Sequence, residues 1–344
     1  MIVKLDKQNE FRAMIKVEIE LLKACYGDCI FLTVSNDNKE FIIMIDGGTS
    51  LTYIQRGRYG RTENGPLKTK LNQLKTEGKA IDLLVITHVD DDHIGGVLEW
   101  FKDQIPTADL VKQIWMNDDV EVTITKGLDN TSSQAASLKK ILEENGLPSV
   151  NQIIKGKVFP FEWGQMLVLA PTAEKHNKIS EDIGNELNNA VNDRYNENIK
   201  DLLEEKYDCG NCSKENDASM AFLLQTNDGE NCLLLGDANI DIVMDSLKHT
   251  DGIVLPLKCR WVKLSHHGSK NNFRPELLEM IEAENYIIST NGMKFGHPDK
   301  EVIAYLVDKT NAKLWFNYPE RAERIFTQQD KQNYPIEERI KFFD

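Results

Sequence analysis

The densest chemistry in the sequence is the run Thr87-His88-Val89-Asp90-Asp91-Asp92-His93-Ile94-Gly95-Gly96. Imidazoles and carboxylates crowded this closely are donors for a divalent cation. Without a cation, three adjacent aspartates repel one another, and a bound ion removes that penalty. The chain has seven histidines. His88, His93, the His266-His267 pair and His297 stand in motifs of this kind, while His176 and His249 read as surface residues. Further acids close short apolar runs, Asp46 in Ile45-Asp46-Gly47-Gly48 and Asp237 in Leu234-Leu235-Gly236-Asp237. An acidic helix start with chance histidines is the bland alternative, and it leaves these repeats unexplained.

Something rigid must aim these groups. The apolar stretch 81–86 reads as a buried strand and Ile94 to Lys102 as a helix, so the histidine–aspartate run falls in a strand-to-helix loop. Before it, Ile15 to Leu21 alternates apolar and polar residues, and Cys29 to Val34 and Phe41 to Ile45 continue as strands, an antiparallel start. Pro66 to Gly78 is a predicted helix, Val111 to Met116 a strand, and Ser132 to Glu144 a helix. Short strands are expected at 152–154, 157–159 and 165–169. After a long polar, acidic stretch (177–215, read as a helical insertion) strands return at 218–224, 231–235, 261–264, 286–289 and 313–316. Helices are expected between them at 239–248, 275–282 and 299–308. Hairpins first and strand–helix alternation afterwards, twice over, predict an α/β chain with two mixed sheets packed face to face and helices outside.

The central run resembles the H-x-H-x-D-H motif of the metallo-β-lactamase superfamily, in the H-x-D-x-D-H variant of ComEC-type competence proteins and their soluble relatives. The likeness continues in order through Gly27-Asp28, Asp46-Gly47-Gly48, Asn216-Asp217-Ala218-Ser219, Gly236-Asp237, Ser265-His266-His267-Gly268-Ser269 and Gly296-His297-Pro298. It implies a single αββα sandwich over residues 1–344 holding one or two divalent ions, zinc or else manganese or iron. By resemblance, His88, Asp90 and a bridging Asp237 hold the first ion, and Asp92 and His93 the second. One of His266 and His267 joins the second set. Gly268 favours His267, leaving His266 as a substrate or supporting contact. Asp46 is expected to orient ligands, Asp92, His266 and His297 to take part in catalysis, and Lys263, Lys270 and Asn216 to touch substrate. Two departures stand out: Asp90 replaces a histidine, and Ala170-Pro171 occupies the place of the third-motif histidine. Carboxylate in place of imidazole hardens the site, which favours manganese or iron as competitors to zinc.

Bulk properties narrow the function classes. A net charge of −14 argues against a general nucleic-acid coat protein. Yet residues 55–79 carry seven basic residues against two acids, and residues 258–274 carry five against none. Lying near the motifs, they suggest contacts to flanking phosphates. The cysteines make no disulfide scaffold, and Cys209-x-x-Cys212 lacks the second pair a four-cysteine zinc site needs. Met1 to Arg12 has no apolar signal core and no stretch is long enough to span a bilayer, so a cytoplasmic protein with no membrane partner is expected. The expected activity is metal-dependent hydrolysis, first of a phosphodiester in a nucleic acid or nucleotide. The alternatives are a thioester, lactone or amide hydrolase of the same fold, and a metal-binding sensor without turnover.

Overall fold

Strand alternation sorts the apolar residues onto opposite faces. In the computed structural model, which describes residues 14–36, 39–57, 60–117, 130–175, 193–210 and 216–343, the first sheet contains β1 (Lys16–Leu21), β2 (Ile30–Asn36) and β3 (Lys39–Ile45). The strands Ile54–Arg56 (β4) and Thr62–Asn64 (β5) form a separate hairpin. Leu83–Ile86 (β6), Ile114–Met116 (β7) and Ser149–Val150 (β8) complete the first sheet in the order β1-β2-β3-β6-β7-β8. Ile30, Leu32, Ile43, Ile45, Leu83 and Val85 face inward to the central core, whereas Phe31, Ile42, Met44, Leu84 and Ile86 face the outer helices. That period of two is what a sheet covered on both sides requires.

The second sheet obeys the same rule. It comprises β9 (Val158–Phe161), β10 (Gly164–Ala170), β11 (Ala221–Thr226), β12 (Asn231–Leu234), β13 (Leu257–Lys263), β14 (Ile281–Ile288), β15 (Lys313–Phe316) and β16 (Ile340–Phe342), in reverse spatial order. Met166, Val168, Phe222, Leu224, Cys232, Leu234 and Ile287 meet the first sheet. Leu223, Leu233, Val262 and Ile288 pack outward on helices Ile240–His249 and Lys300–Lys309. The architecture is the expected αββα sandwich.

The parallel strands decide where the site lies. Strands β3, β6 and β7 run parallel, as do β12 through β16. The loops leaving β3, β6, β12, β13 and β14 carry Asp46, His88, Asp237, His266-His267 and His297 in turn. Carboxyl ends of parallel strands are the usual seat of α/β sites. Backbone bonds lock the two halves there, Met220 N–H to Thr87 O (3.0 Å) and Asn291 N–H to Cys25 O (2.8 Å). Two glycines permit the close approach: a Cβ on Gly96 would lie 2.0 Å from Gly47 O, and one on Gly27 would lie 1.8 Å from Asp92 O.

Several sequence expectations shift. Residues 152–154 are not a strand, because Gln152 takes φ +56° and breaks the extended chain. The helix expected at 275–282 shrinks to Leu277–Met280, because Ile281 already pairs in parallel with Leu257. Of the 177–215 stretch, residues 193–210 are described and include helix Ile199–Glu204; His176 and Cys212 lie outside the described residues.

Candidate metal centre

Asp46 organises the first half of the site. It follows β3 with a left-handed φ of +57° and is fully buried. Its Oδ1 accepts from Thr87 N–H (2.8 Å) and its Oδ2 from Thr87 Oγ1 (2.7 Å). The same Oδ2 faces His93 Nδ1 at 2.8 Å. Thr87 spends its proton on Asp46, so its oxygen accepts from His88 Nδ1 at 3.0 Å. Both rings thereby carry a proton at Nδ1, so each ring in its neutral form presents its lone pair at Nε2, the arrangement that metal-binding histidines need.

These lone pairs converge on Asp237. Beyond β12, Gly236 at φ +49° turns the chain, and Asp237 N–H donates to Ser219 Oγ (3.0 Å). Around Asp237 Oδ2 stand His93 Nε2 at 3.3 Å, His267 Nε2 at 3.7 Å, His266 Nε2 at 3.8 Å and His88 Nε2 at 3.9 Å. Asp90 Oδ2 lies 3.6 Å from His88 Nε2, and Asp92 Oδ2 lies 3.5 Å from His267 Nε2. Asp90 is the N-cap residue of helix Asp91–Asp103, but its side chain makes no capping bond.

Asp28 plays for His267 the part that Asp46 plays for His93. Its Oδ1 lies 3.3 Å from His267 Nδ1 and its Oδ2 lies 2.5 Å from Lys263 Nζ, both side chains buried. A cation fits what these residues leave over. His88 Nε2, His93 Nε2, His267 Nε2 and Asp237 Oδ1 are buried without a hydrogen-bond partner among the described residues, a cost that native interiors avoid unless something else binds there. The sets His88–His93–Asp237 and Asp92–His93–His267 each bring ligand atoms within 4.8 Å of one another.

Charge in the cluster is mutually supporting. Burial disfavours a charged His267 ring, yet Asp237 and Asp28 outweigh it and raise its pKa to about 9. His93 is likewise held well above the usual value, because Asp237 and Asp46 overcome its burial. Burial works against the Asp92 carboxylate, but His267 and His93 hold its pKa at about 2. For His266 burial wins and takes it to about 4. A metal ion must displace the protons on His93 and His267. For the metal-free protein the sign is fixed: a His267 pKa raised from 6.5 to about 9 stabilises fully below pH 6.5 and is lost as pH climbs through 9. Calorimetry in buffers of different ionisation enthalpy should show protons released on adding Mn²⁺ or Zn²⁺ at pH 7. The Tm of metal-free protein should also fall across that window. A flat Tm with no proton release would contradict this account.

The structure gathers His88, Asp90, Asp92, His93, Asp237, His266 and His267, and keeps Asp91 out. The Asp91 carboxylate accepts instead from Tyr26 OH and Gln134 Nε2. The His297 ring lies 5.0 Å from that of His266, with Nδ1 3.5 Å from Asp299 Oδ2. Asn216 is buried with its amide 3.1 Å from His266 Nδ1. The expectation for Lys263 needs correction: its ammonium is sealed in the Asp28 pair and is not presented to a substrate. Lys270 remains half-exposed, 3.6 Å from Glu301. The basic run 258–274 is in fact neutralised, since Lys258, Arg260 and Arg274 also face Glu282, Glu230 and Asp241. Lys68, Lys70 and Lys79 of the other run pair with Asp103, Glu20 and Glu40. Sequence reasoning missed the rim, where exposed Lys294 lies over the rings of Tyr26 (4.9 Å) and Phe295 (4.6 Å), and Phe295 flanks His297. It also missed the orienting role of Asp28.

Comparison with known proteins gives one family match and several distant likenesses. Residues 22–119 match the family described as the Metallo-beta-lactamase superfamily. ComE operon protein 3 of Bacillus subtilis (strain 168) is 21% identical over 295 residues; the match takes in 84% of this chain but spans only 30% of that relative's length. Among solved structures, the metallo-beta-lactamase fold protein YhfI from Bacillus subtilis aligns over 90% of this chain and 94% of its own, with 10% identity and a TM-score of 0.37. A long form RNase Z from yeast aligns over 93% of this chain and 43% of its own, with 12% identity and a TM-score of 0.40. No helix among the described residues is long and apolar enough to cross a membrane. The family match falls on the strands and the loop that carry Asp46, His88 and His93, and together with the motifs in order on an αββα sandwich it supports a metallo-beta-lactamase superfamily protein.

Proposed function

We propose that residues 1–344 act as one catalytic unit, with 177–215 as an insertion, and that the protein is a metal-dependent hydrolase of phosphodiesters in a nucleic acid or nucleotide. The observation that carries hydrolysis is the meeting of four imidazole Nε2 atoms within 3.9 Å of one buried carboxylate oxygen. A purely structural core gains nothing from such an arrangement. One or two divalent ions held there supply a lowered pKa for water and positive charge against the oxygens of the attacked group. Asp46 keeps the His88 and His93 lone pairs pointed inward, and Asp92 and Asp237 supply the negative charge that retains the ions.

The rim favours a phosphodiester over a carbonyl substrate. The Lys294 ammonium, lying over Tyr26 and Phe295, offers charge for a nonbridging oxygen beside rings on which a base can stack. The His297 ring, faced by Asp299, can pass a proton from Nε2 to the leaving oxygen. The surface ion pairs of the two basic runs are weak enough to be exchanged for phosphate.

The test is a substrate panel with wild type and Asp92→Ala, each loaded with Mn²⁺ or Zn²⁺. Bis(p-nitrophenyl) phosphate, single-stranded DNA, plasmid, RNA and a cyclic nucleotide should be set against an ester, a thioester and a lactone. We expect phosphodiester turnover that falls by about 100-fold or more in the variant. Turnover of carbonyl substrates alone would point to an acyl hydrolase. No turnover at all with metal bound would leave a metal-binding module.

A further inference from the structure

Where the superfamily pattern places its third-motif histidine, β10 ends in Ala170-Pro171, and neither side chain can ligate. The first ion position would then rest on His88, Asp90 and Asp237 alone. We propose that His266 fills the vacancy, so that the two adjacent histidines serve two different ions, His266 the first and His267 the second. This rests on the reading of the cluster as a divalent-cation site, and not on which substrate is hydrolysed.

The argument begins with Asn272. Its amide nitrogen donates to Asp237 O (2.9 Å) and to Ala238 O (3.3 Å), and this anchors the side chain with Oδ1 toward His266 Nδ1 at 3.1 Å. The same Nδ1 lies 3.1 Å from Asn216 Nδ2, so two amides hold the ring at this nitrogen and fix the direction of the other. His266 Nε2 lies 3.8 Å from Asp237 Oδ2, close to the 3.9 Å of His88 Nε2 from the same oxygen. Asn272 and Asn216 thus orient His266 as Thr87 orients His88.

The backbone is shaped to the same end. His266 and His267 take left-handed φ values of +45° and +56° in succession, an uncommon state for residues other than glycine. His266 N–H is fixed to Gly236 O (3.0 Å), one residue before Asp237. In extended backbone, consecutive side chains point to opposite faces. Here the tight turn sends both rings to Asp237, with His267 on the side of Asp92 and His266 on the side of Asn216 and His297.

The experiment is metal titration of metal-free full-length protein with Mn²⁺, Zn²⁺ and Co²⁺, read by calorimetry, elemental analysis and the Co²⁺ absorption spectrum. Wild type should take two ions. His266→Ala should keep one ion at wild-type affinity and weaken the other by about 100-fold or more, with loss of the corresponding Co²⁺ bands. His266→Asn, a residue that tolerates left-handed φ, guards against misfolding and should behave alike, while His267→Ala should weaken the opposite ion. A wild type that binds one ion only would overturn the division of the pair between two ions. Full wild-type stoichiometry and affinity in folded His266→Asn would overturn the proposal with the cation site intact. A wild-type protein that binds none of the three ions would overturn both.

Discussion

Asp237→Asn should yield a folded protein that no longer retains divalent metal through gel filtration, and whose hydrolytic rate drops by more than two orders of magnitude. The substitution is close to isosteric and keeps the backbone bond to Ser219. It removes the one carboxylate toward which all four clustered imidazoles turn. Loss of a merely orienting partner costs about 10- to 100-fold in metal affinity, and Asp237 stands nearer the ion than that. Elemental analysis and rates on the same phosphodiester panel decide the matter. Retention of full metal content would mean that the ion sits elsewhere.

Lys263→Met is expected to have the largest effect on stability. It leaves the Asp28 carboxylate buried and without its ammonium partner, and breaking a buried pair in this way costs about 3–5 kcal/mol. Asp28 at the same time loses the ammonium that holds it in place beside His267, so metal affinity should fall by about 10- to 100-fold. The double variant Lys263→Met/Asp28→Asn separates the two effects. With no stranded charge, its denaturant midpoint should recover much of the loss, while metal affinity should stay depressed. Equal denaturant midpoints for wild type and Lys263→Met would refute the role given to the pair.

What could be read from the chain alone was whatever is local. The strands showed because each sheet is covered on both faces, so the apolar runs at 41–45 and 81–86 stand out. The H-x-D-x-D-H loop showed because its ligands lie within six residues. What stayed hidden is what folding assembles from afar. Asp28 meets Lys263 and His267 across more than 230 positions, and a single acid after Gly27 gives no hint of either. Lys263 looked like part of a basic run because a linear count of charge cannot see which cations face acids. Asp91 is one of three adjacent acids, and only the turn of helix Asp91–Asp103 shows it carried toward Tyr26. The rim of Tyr26, Lys294 and Phe295 joins the two ends of the chain, and neither end alone suggests it.

The division of ligands between the halves has a mechanical consequence. Asp46, His88, Asp92 and His93 come from the loops of the first sheet, and Asp237, His266 and His267 from those of the second. An ion held by both sets would be a rivet through two plates. Peeling the sheets apart must release the ion, so each tenfold rise in free metal above its dissociation constant adds about 1.4 kcal/mol against separation. Scarcity of metal would then loosen the seam of the sandwich along with its chemistry.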